Sequence, residues 1–336
     1  MNEKKQIPYI QWLRIFAALA VVVIHADSPV WPEVAMGSRE FVVLTVWESL
    51  VRWPVPVFVM ITGALFLDRK TELKQVLTRY IPHLAAAFLF WSGVHALRGG
   101  TEGVLERFVT GHYHLWYLPF ACGVYLTIPF LQAIARDRRL TRQLLWVSLI
   151  IGALVPWLAD LAALLWPERS GVMASLKNSL HFTFFFDLLG VVLLGHVLNT
   201  GELTGKQRRL LYALGILGAA VTVPLTLWAG ARTGTSSALF GQLTAPTTLC
   251  TAAAVFVFAK YNLTRLPKIV DWAASHSFGI YLSHVLVLER LKEQGIHVLL
   301  ADPIWTVPAL SAAVFVIALG LTAILRRVPV VGKYLT

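Results

Sequence analysis

The chain has 336 residues, of which 57% are hydrophobic and only 14% are charged, whereas ordinary soluble domains have roughly 25% charged residues. This balance excludes a soluble enzyme. The net charge of +11 would suit nucleic acid, but the basic residues stand in short clusters between apolar runs, which is typical of membrane proteins and disfavours nucleic acid.

The apolar residues come in runs of about 20, the length that a helix needs to cross a hydrocarbon core ~30 Å thick. About ten such runs predict membrane spans. In chain order they lie at 9–27, 41–67, 77–97, 114–135, 143–163, 180–198, 210–229, 240–259, 275–288 and 303–325. The predicted fold class is therefore all-α, a polytopic integral membrane domain that occupies residues 1–336 and leaves no room for a separate globular domain.

The distribution of Lys and Arg predicts the orientation of the chain. If the N-terminus is inside, 19 of the 29 Lys and Arg residues fall on inner segments and 8 on outer ones, and cytoplasmic segments normally carry this excess. Both termini are therefore expected in the cytoplasm. A cleaved signal peptide is the competing interpretation of Lys4, Lys5 and the first run, but Ile24 occupies the small-residue position before Ala26 and Arg14 interrupts the run. We expect a retained first helix.

Arg14 and His25 are ionisable residues of the first span and stand eleven positions apart. At 100° per residue they lie about 20° apart around the helix and ~16 Å apart along it, with Arg14 near the cytoplasmic end and His25 near the outer end. Ionisable groups inside a span are costly and usually face a cavity or a partner, so both are candidate functional residues. A snorkelling arginine and an interfacial histidine explain the same positions equally well.

The second span is interrupted at 52–56, where two prolines remove helix donors, and a kink or a division is expected there. Glu48 and Arg52 stand four residues apart on either side of this point. An ion pair that allows both to be buried is the favoured interpretation, and a functional role is the alternative. Further on, residues 101–108 predict a short interfacial helix.

The fourth span opens at the outer interface with His114, Trp116 and Tyr117. An aromatic belt explains Trp116 and Tyr117, whereas two histidines beside them, His112 and His114, are less ordinary. In the sixth span, Asp187 has no acid or base nearby in sequence, so it must be neutral, solvated or paired across helices.

The ninth span is the weakest, because four charged residues between 289 and 293 are expected to close it early. His284 lies one helical turn from Tyr281 on this span. A structural hydrogen bond and a place on a cavity wall explain His284 equally well.

Metal and redox chemistry are not predicted. Cys122 and Cys250 both fall inside apolar runs, so they offer neither a disulfide framework nor a metal-binding spacing. No pair of histidines or acids has the spacing of a metalloprotease or zinc-finger site. A serine-nucleophile elbow, a phosphate-binding loop and a dinucleotide fingerprint are also absent from the sequence. Any chemistry must therefore use His, Arg and a few acids.

The first span has an Arg followed after ten residues by a His, at Arg14 and His25. Further distinctive stretches follow at 52–63, 79–82, 114–118 with Tyr125 and Pro129, and 277–284. In this order they resemble the acyltransferase-3 family of membrane acyltransferases, and the likeness extends over residues 9–288. It is greatest to the short bacterial members that O-acetylate surface glycans, the enterobacterial common antigen type among them.

The resemblance implies an O-acyltransferase of the bacterial cytoplasmic (inner) membrane. It implies acetyl-CoA as the acyl donor on the cytoplasmic side, a co-substrate rather than a permanently bound cofactor. The implied acceptor is a hydroxyl of a surface or lipid-linked glycan. The expected partners are acetyl-CoA, this glycan and membrane lipid, with a homo-oligomer left open and no nucleic acid. The chain departs from the family at Asp187 and His196, where the family often has aromatic residues.

A sugar hydroxyl needs a base to attack a thioester, and His is the side chain with an ordinary pKa near neutrality. We expect His25 to be this base or a covalent acyl carrier, because it lies at the outer end of a span and shares a face with Arg14. Glu48 on the adjacent segment is expected to orient it. The acceptor is expected to contact residues near the outer end: Arg52, His114, Trp116, Tyr117, Tyr281 and His284.

The phosphates of the donor should remain on the basic inner side, where cationic side chains can bind them. The candidates are Arg14, Lys74, Arg79, Arg136 and Arg139. A role in setting topology explains the number of these residues fully.

Two other classes of function compete with the enzyme. A secondary transporter or a flippase for a lipid-linked glycan would also use buried Arg, His and acids, but the broken second span has no evident counterpart five spans later, as repeated halves would require. An inactive membrane scaffold predicts that a change of His25 is harmless.

Overall fold

The protein is described by a computed structural model that covers residues 6–180, 188–329, 332 and 335–336. Its regular structure is helical, and no strand occurs within these ranges, as the predicted all-α class requires. Asp187, the basic residues Lys4, Lys5 and Lys333, and the first part of the sixth predicted span lie outside the described residues.

The helices of the first half alternate long apolar segments with short connections. They are α1 (Pro8–Asp27), α2 (Arg39–Leu50), α3 (Pro54–Phe66), α4 (Ile81–Arg98), α5 (Val104–Thr110), α6 (Tyr117–Ala135), α7 (Arg138–Val147) and α8 (Val155–Leu165). A single turn at Leu73–Gln75 and π-helical stretches at Val76–Tyr80 and Ser148–Leu154 extend α4 and α8 at their starts.

The second half continues in the same manner. Its helices are α9 (Ser170–Leu180), α10 (Leu189–Thr200), α11 (Gly205–Thr233), α12 (Pro246–Asn262), α13 (Lys268–Ser275), α14 (Ser277–Glu293) and α15 (Pro303–Leu325). Short 3₁₀ turns lie at Trp31–Glu33, Tyr113–Trp116, Pro167–Arg169 and Leu239–Gly241.

Seven segments of the described chain are long and apolar enough to cross a membrane, by length and composition. They are Pro8–Glu33, Arg39–Phe66, Val104–Ala135, Arg138–Leu165, Gly205–Thr233, Leu239–Asn262 and Pro303–Leu325. Helices α4, α10 and α14 occupy the other three predicted spans. The total of ten spans and the cytoplasmic location of both termini stay predictions.

The second predicted span is divided where the prolines stand. Helix α2 ends at Leu50, and α3 begins at Pro54. The first-turn N–H groups of a helix have no partner within the helix, so Pro54 and Pro56 cost α3 little there. The expected interruption is confirmed. The interfacial helix expected at 101–108 corresponds to α5, which begins and ends slightly later.

The helix of the ninth predicted span is longer than expected. Helix α14 continues to Glu293, so the charged residues after 288 do not end the helix, while the end of the membrane span there stays a prediction. Glu, Arg and Lys are good helix formers. Arg98 at the end of α4 donates to both Glu289 and Glu293, over 2.8 and 2.6 Å, and holds this part of α14 against α4.

Helix α1 is the central element of the fold. It packs against α2, α3, α12, α13, α14 and α15. Its apolar side chains fill two cores: Leu13 packs in a cluster with Val57 and Phe256, and Val22 packs in another with Leu44. Arg14 and His25 of α1 are therefore held inside the molecule.

Helices α3 and α10 touch through their backbones at two glycines. A Cβ on Gly63 would lie 1.9 Å from the carbonyl oxygen of Val192, and a Cβ on Gly195 would lie 2.1 Å from that of Met60. Only glycine permits so close an approach, a packing mode common between membrane helices. These contacts hold α3 against α10.

Candidate functional site

A cavity of about 620 Å³ lies within the described part of the chain. Helices α1, α3, α6 and α14 contribute most of its wall. Of the residues predicted for a site, those that line it are Arg14, His25, Arg52, His114, Trp116, Tyr117 and Tyr281. The expectation that Arg14 and His25 share one face of the first span is confirmed, because both point into this cavity.

At one end of the cavity, which we call the outer end after the predicted orientation, His25 is hydrogen-bonded to His284. His25 Nδ1 lies 2.7 Å from His284 Nε2, although the residues are 259 positions apart. His284 is fully buried and is not part of the cavity wall. It therefore supports His25 from behind.

The second nitrogen of His284 determines how the protons are arranged. Its Nδ1 lies 2.6 Å from the carbonyl oxygen of Tyr281 and 3.1 Å from that of Ile280. A carbonyl oxygen only accepts, so this nitrogen carries the hydrogen, and Nε2 of a neutral His284 must accept the bond from His25. His25 then donates through Nδ1, which leaves its Nε2 with a lone pair. A neutral histidine in this tautomer is a general base.

Glu48 does not have the position expected for it. It was predicted to orient His25, but in the described structure His284 is the hydrogen-bond partner of that ring. Glu48 is almost fully buried and accepts instead from Ser28, over 2.7 Å, and from Arg52. The predicted Glu48–Arg52 ion pair is thus confirmed. It holds a guanidinium at the cavity wall, close to the end of α1.

Asp27 is a buried acid that the sequence analysis passed over. Its side chain is fully buried, and neither oxygen has a hydrogen-bond partner among the described residues. A buried carboxylate without partners is costly unless it holds a proton. Its position two residues after His25 was the available signal, because it extends the polar end of the first span.

His114 lies deeper than predicted. It was expected at the outer surface, yet only 1% of the residue is exposed. Its ring centroid is 6.2 Å from that of His25 and 5.5 Å from that of His284. The hydroxyl of Tyr281 donates to its backbone carbonyl, and this bond ties the turn before α6 to α14.

Three further polar residues stand behind His114. The rings of His95 and His112 stack with centroids 4.2 Å apart, and Glu289 lies 3.1 Å from His112 Nε2 and 3.6 Å from His95 Nδ1. His112 was noted as unusual, but His95 and Glu289 were not singled out as site residues. Nothing in their spacing along the chain relates them, since they come from α4, a turn and α14.

The inner end of the cavity has a different composition. Arg14 Nη1 donates to Gln11 over 3.3 Å, and Tyr125 and His83 lie on the wall nearby. Tyr125 stacks on Tyr80 at 5.4 Å. This end offers one guanidinium among aromatic rings, whereas the outer end holds paired polar groups.

The other predicted donor-binding residues do not line the cavity. Lys74, Arg79, Arg136 and Arg139 are all exposed and are missing from its wall. Arg79 reaches the site only indirectly: its guanidinium lies 5.9 Å from the ring centroid of Tyr80, which stacks on Tyr125. The Arg79 side chain is exposed on the π-helical stretch Val76–Tyr80 and does not belong to this cavity wall.

Comparison with known proteins adds one finding. A protein-family model described as an acyltransferase domain matches residues 7–327 of the chain. No curated protein and no solved structure matches it.

Proposed function

The chain belongs to the acyltransferase-3 family of multi-pass membrane proteins, and from this premise we propose that it transfers an acetyl group from cytoplasmic acetyl-CoA to a hydroxyl of a surface or lipid-linked glycan. The observation that carries the proposal is the His25–His284 pair, which presents the lone pair of His25 Nε2 at the wall of an internal cavity. Acyl transfer to a hydroxyl requires such a base.

The chemical step uses His25 as a general base. Its Nε2 takes the proton of the acceptor hydroxyl while the hydroxyl oxygen attacks the thioester carbonyl. The C–S bond then breaks, and the CoA thiolate takes the proton back from the His25 imidazolium. Arg52, which Glu48 holds at the cavity wall, is the nearest described cation on this wall and can stabilise the developing oxyanion. A covalent acyl-imidazole on His25 would use the same geometry in two steps.

The donor enters from the inner end of the cavity. Its phosphates are too polar to leave the aqueous side, so only the pantetheine arm and the acetyl group reach inward. Arg14 can donate to the amide carbonyls of this arm, because a guanidinium carries five N–H groups and Gln11 occupies only one of them. The exposed Lys74, Arg79, Arg136 and Arg139 would attract the phosphates electrostatically before binding.

The acceptor enters from the outer end. Trp116 and Tyr113, about half exposed at 43% and 52%, lie on the cavity wall beside His25. Exposed aromatic rings suit the apolar face of a sugar. We assign to this chain the glycan class of the short bacterial members, including the enterobacterial common antigen type, and the bacterial inner membrane as its location.

Mass spectrometry of surface glycans from cells with and without the gene tests this function. We expect O-acetyl groups that disappear with the gene and return with the intact gene, but not with a His25→Ala copy. Unchanged O-acylation together with a loss of glycan export would contradict the enzyme and favour a flippase.

The proposal requires that the Arg14 end of the cavity faces the cytoplasm. In a chain whose Cys122 and Cys250 are replaced, a cysteine at Arg139 should react with a membrane-impermeant reagent only after the cells are permeabilised. A cysteine at Arg107, on the opposite side, is the matched control and should react in intact cells. Labelling of the Arg139 position in intact cells would overturn the orientation.

A further inference from the structure

His95, His112 and His114 form a second cluster of histidines. The proposed chemical step does not use it. His95 lies near the end of α4, while His112 and His114 belong to the turn before α6. One ligand nitrogen from each residue can be chosen so that the three atoms lie within 4.8 Å of one another. His95 and His114 are buried, and His112 is half-buried.

Two of these rings direct lone pairs at each other. His112 Nε2 lies 3.1 Å from a carboxylate oxygen of Glu289, and His114 Nε2 lies 3.4 Å from the carbonyl oxygen of Leu282. Both oxygens only accept, so both Nε2 atoms carry the hydrogen of a neutral ring. The remaining Nδ1 atoms are 3.0 Å apart. Two lone pairs at that distance repel, so a cation lies between or beside them, either a proton shared by the two rings or a metal ion.

The third histidine follows the same pattern. His95 Nδ1 faces the second oxygen of Glu289 at 3.6 Å. Its Nε2 is buried and has no hydrogen-bond partner among the described residues. Each of the three rings thus turns one nitrogen to an oxygen acceptor and leaves the other unsatisfied.

We infer that His95, His112 and His114 bind a divalent transition-metal ion, with Zn²⁺ as the expected ion. Three imidazoles form a common donor set for zinc, which leaves a fourth position for water, whereas Mg²⁺ and Ca²⁺ require oxygen ligands. A histidine that binds a metal usually donates its other N–H to a carboxylate or a backbone carbonyl, as His112 and His114 do here. The inference is independent of the acyl-transfer proposal.

The ion would act as a clamp for the outer end of the cavity. It would join α4 to the turn before α6, and through Glu289 it would involve α14, the helix that carries His284. His114 would be held at its position near the His25–His284 pair. We therefore assign the metal a positioning role.

Metal binding by the full-length protein in detergent tests the inference. The protein is purified through a handle without histidines, stripped with a chelator and titrated with Zn²⁺ by calorimetry. Co²⁺ serves as a spectroscopic probe, because tetrahedral Co²⁺ absorbs strongly in the visible region. We expect one ion per chain, and a Co²⁺ spectrum that disappears in His95→Ala and in His112→Ala.

Two further variants sharpen the result. Glu289→Gln keeps all three ligands but weakens the support of two, so Zn²⁺ affinity should fall about 10- to 100-fold. His297→Ala is the matched control, since His297 lies in the loop after α14 and accepts only a local bond from Leu299. It should bind like the wild type.

Absence of stoichiometric Zn²⁺ or Co²⁺ binding to the wild-type protein would overturn the inference, and so would binding that His95→Ala and His112→Ala leave unchanged. The cluster would then be held by a shared proton. The measurement on the wild-type protein is sufficient to refute the inference, even if one of the variants does not fold.

Discussion

The two ends of the cavity are built in opposite ways. At the outer end, most polar side chains pair with one another: His284 supports His25, and Glu48 binds both Ser28 and Arg52. Asp27 is the exception among the described residues. At the inner end, Arg14 makes one long bond to Gln11 and is otherwise surrounded by aromatic residues such as Tyr125.

This difference in hydrogen bonding is what the proposed function requires, because a catalytic base and a ligand-binding group need different surroundings. A base must be held in one tautomer and one orientation, and a network of fixed hydrogen bonds achieves this. A group that binds a ligand must instead keep donors free until the ligand arrives. Under the proposed function, the outer end is the one preorganised for reaction, and the inner end is the one that binds and releases the donor. Substitutions at the two ends should accordingly lower different kinetic constants.

The largest effect is expected from His25→Ala. Loss of a positioned base typically lowers the rate by about 10²- to 10⁴-fold, so transfer by the purified variant should nearly vanish while acetyl-CoA binding is kept. His25→Gln retains hydrogen bonding but cannot take the proton, and it should be equally inactive. The loop variant His297→Ala is the control. A His25→Ala rate within a few-fold of wild type would refute the assignment.

His284→Ala should have the next largest effect. Without its partner His25 can rotate or change tautomer, and misplacement of a reacting group costs roughly 10²-fold. The loss should appear in kcat, with the KM for acetyl-CoA nearly unchanged. His284→Gln offers an amide oxygen that can still accept from His25 Nδ1 and should recover part of the rate. Equal rates for the two variants would indicate that His284 only fills space.

Arg14→Ala probes the inner end. A hydrogen bond from a charged group contributes about 1.5–3 kcal/mol, so the Kd for acetyl-CoA should rise roughly 10- to 100-fold. The rate at saturating donor should change much less. Arg14→Lys keeps the charge but loses the planar fork, and intermediate binding is expected. Calorimetry measures the acetyl-CoA affinity of both variants. Unchanged binding in Arg14→Ala would show that the donor does not bind at this end of the cavity.

The smallest effect is expected from Arg79→Ala. The side chain is exposed and touches the cavity only through Tyr80. Exposed charges contribute little and are screened by salt. Acetyl-CoA binding should weaken only a few-fold at low ionic strength, and the difference should disappear at high salt. A loss as large as that of Arg14→Ala, independent of salt, would show that Arg79 contacts the donor directly.

Much of the fold was predictable, because each membrane span appears in the sequence as a continuous run of apolar residues. Apolar runs located the helices, and Pro54 and Pro56 located the break between α2 and α3. The end of α14 was not predictable in this way. Its charged residues are bound by Arg98, which lies nearly 200 positions away from the carboxylates that it contacts.

Site residues could be related to one another from the sequence only where they lie on the same helix. Arg14 and His25 could be related by helical periodicity, and both line the cavity. The partner of His25 could not be found in this way: Glu48 was the natural choice from its depth, whereas packing brought His284 from the far end of the chain. The same limit applies to His95 and His112, which meet only because α4 and the turn before α6 pack together.

The contact of α3 with α10 limits how such an enzyme can diversify. Phe58, Thr62 and Phe66 of α3 line the cavity, while the rear of the same helix meets α10 backbone to backbone at Gly63. The helix therefore cannot recede to admit a bulkier acyl group. A relative that accepts longer acyl chains would need smaller side chains at these positions of α3. The preferred length of the acyl chain would then be set by a few side chains, while the backbone of α3 stays in place.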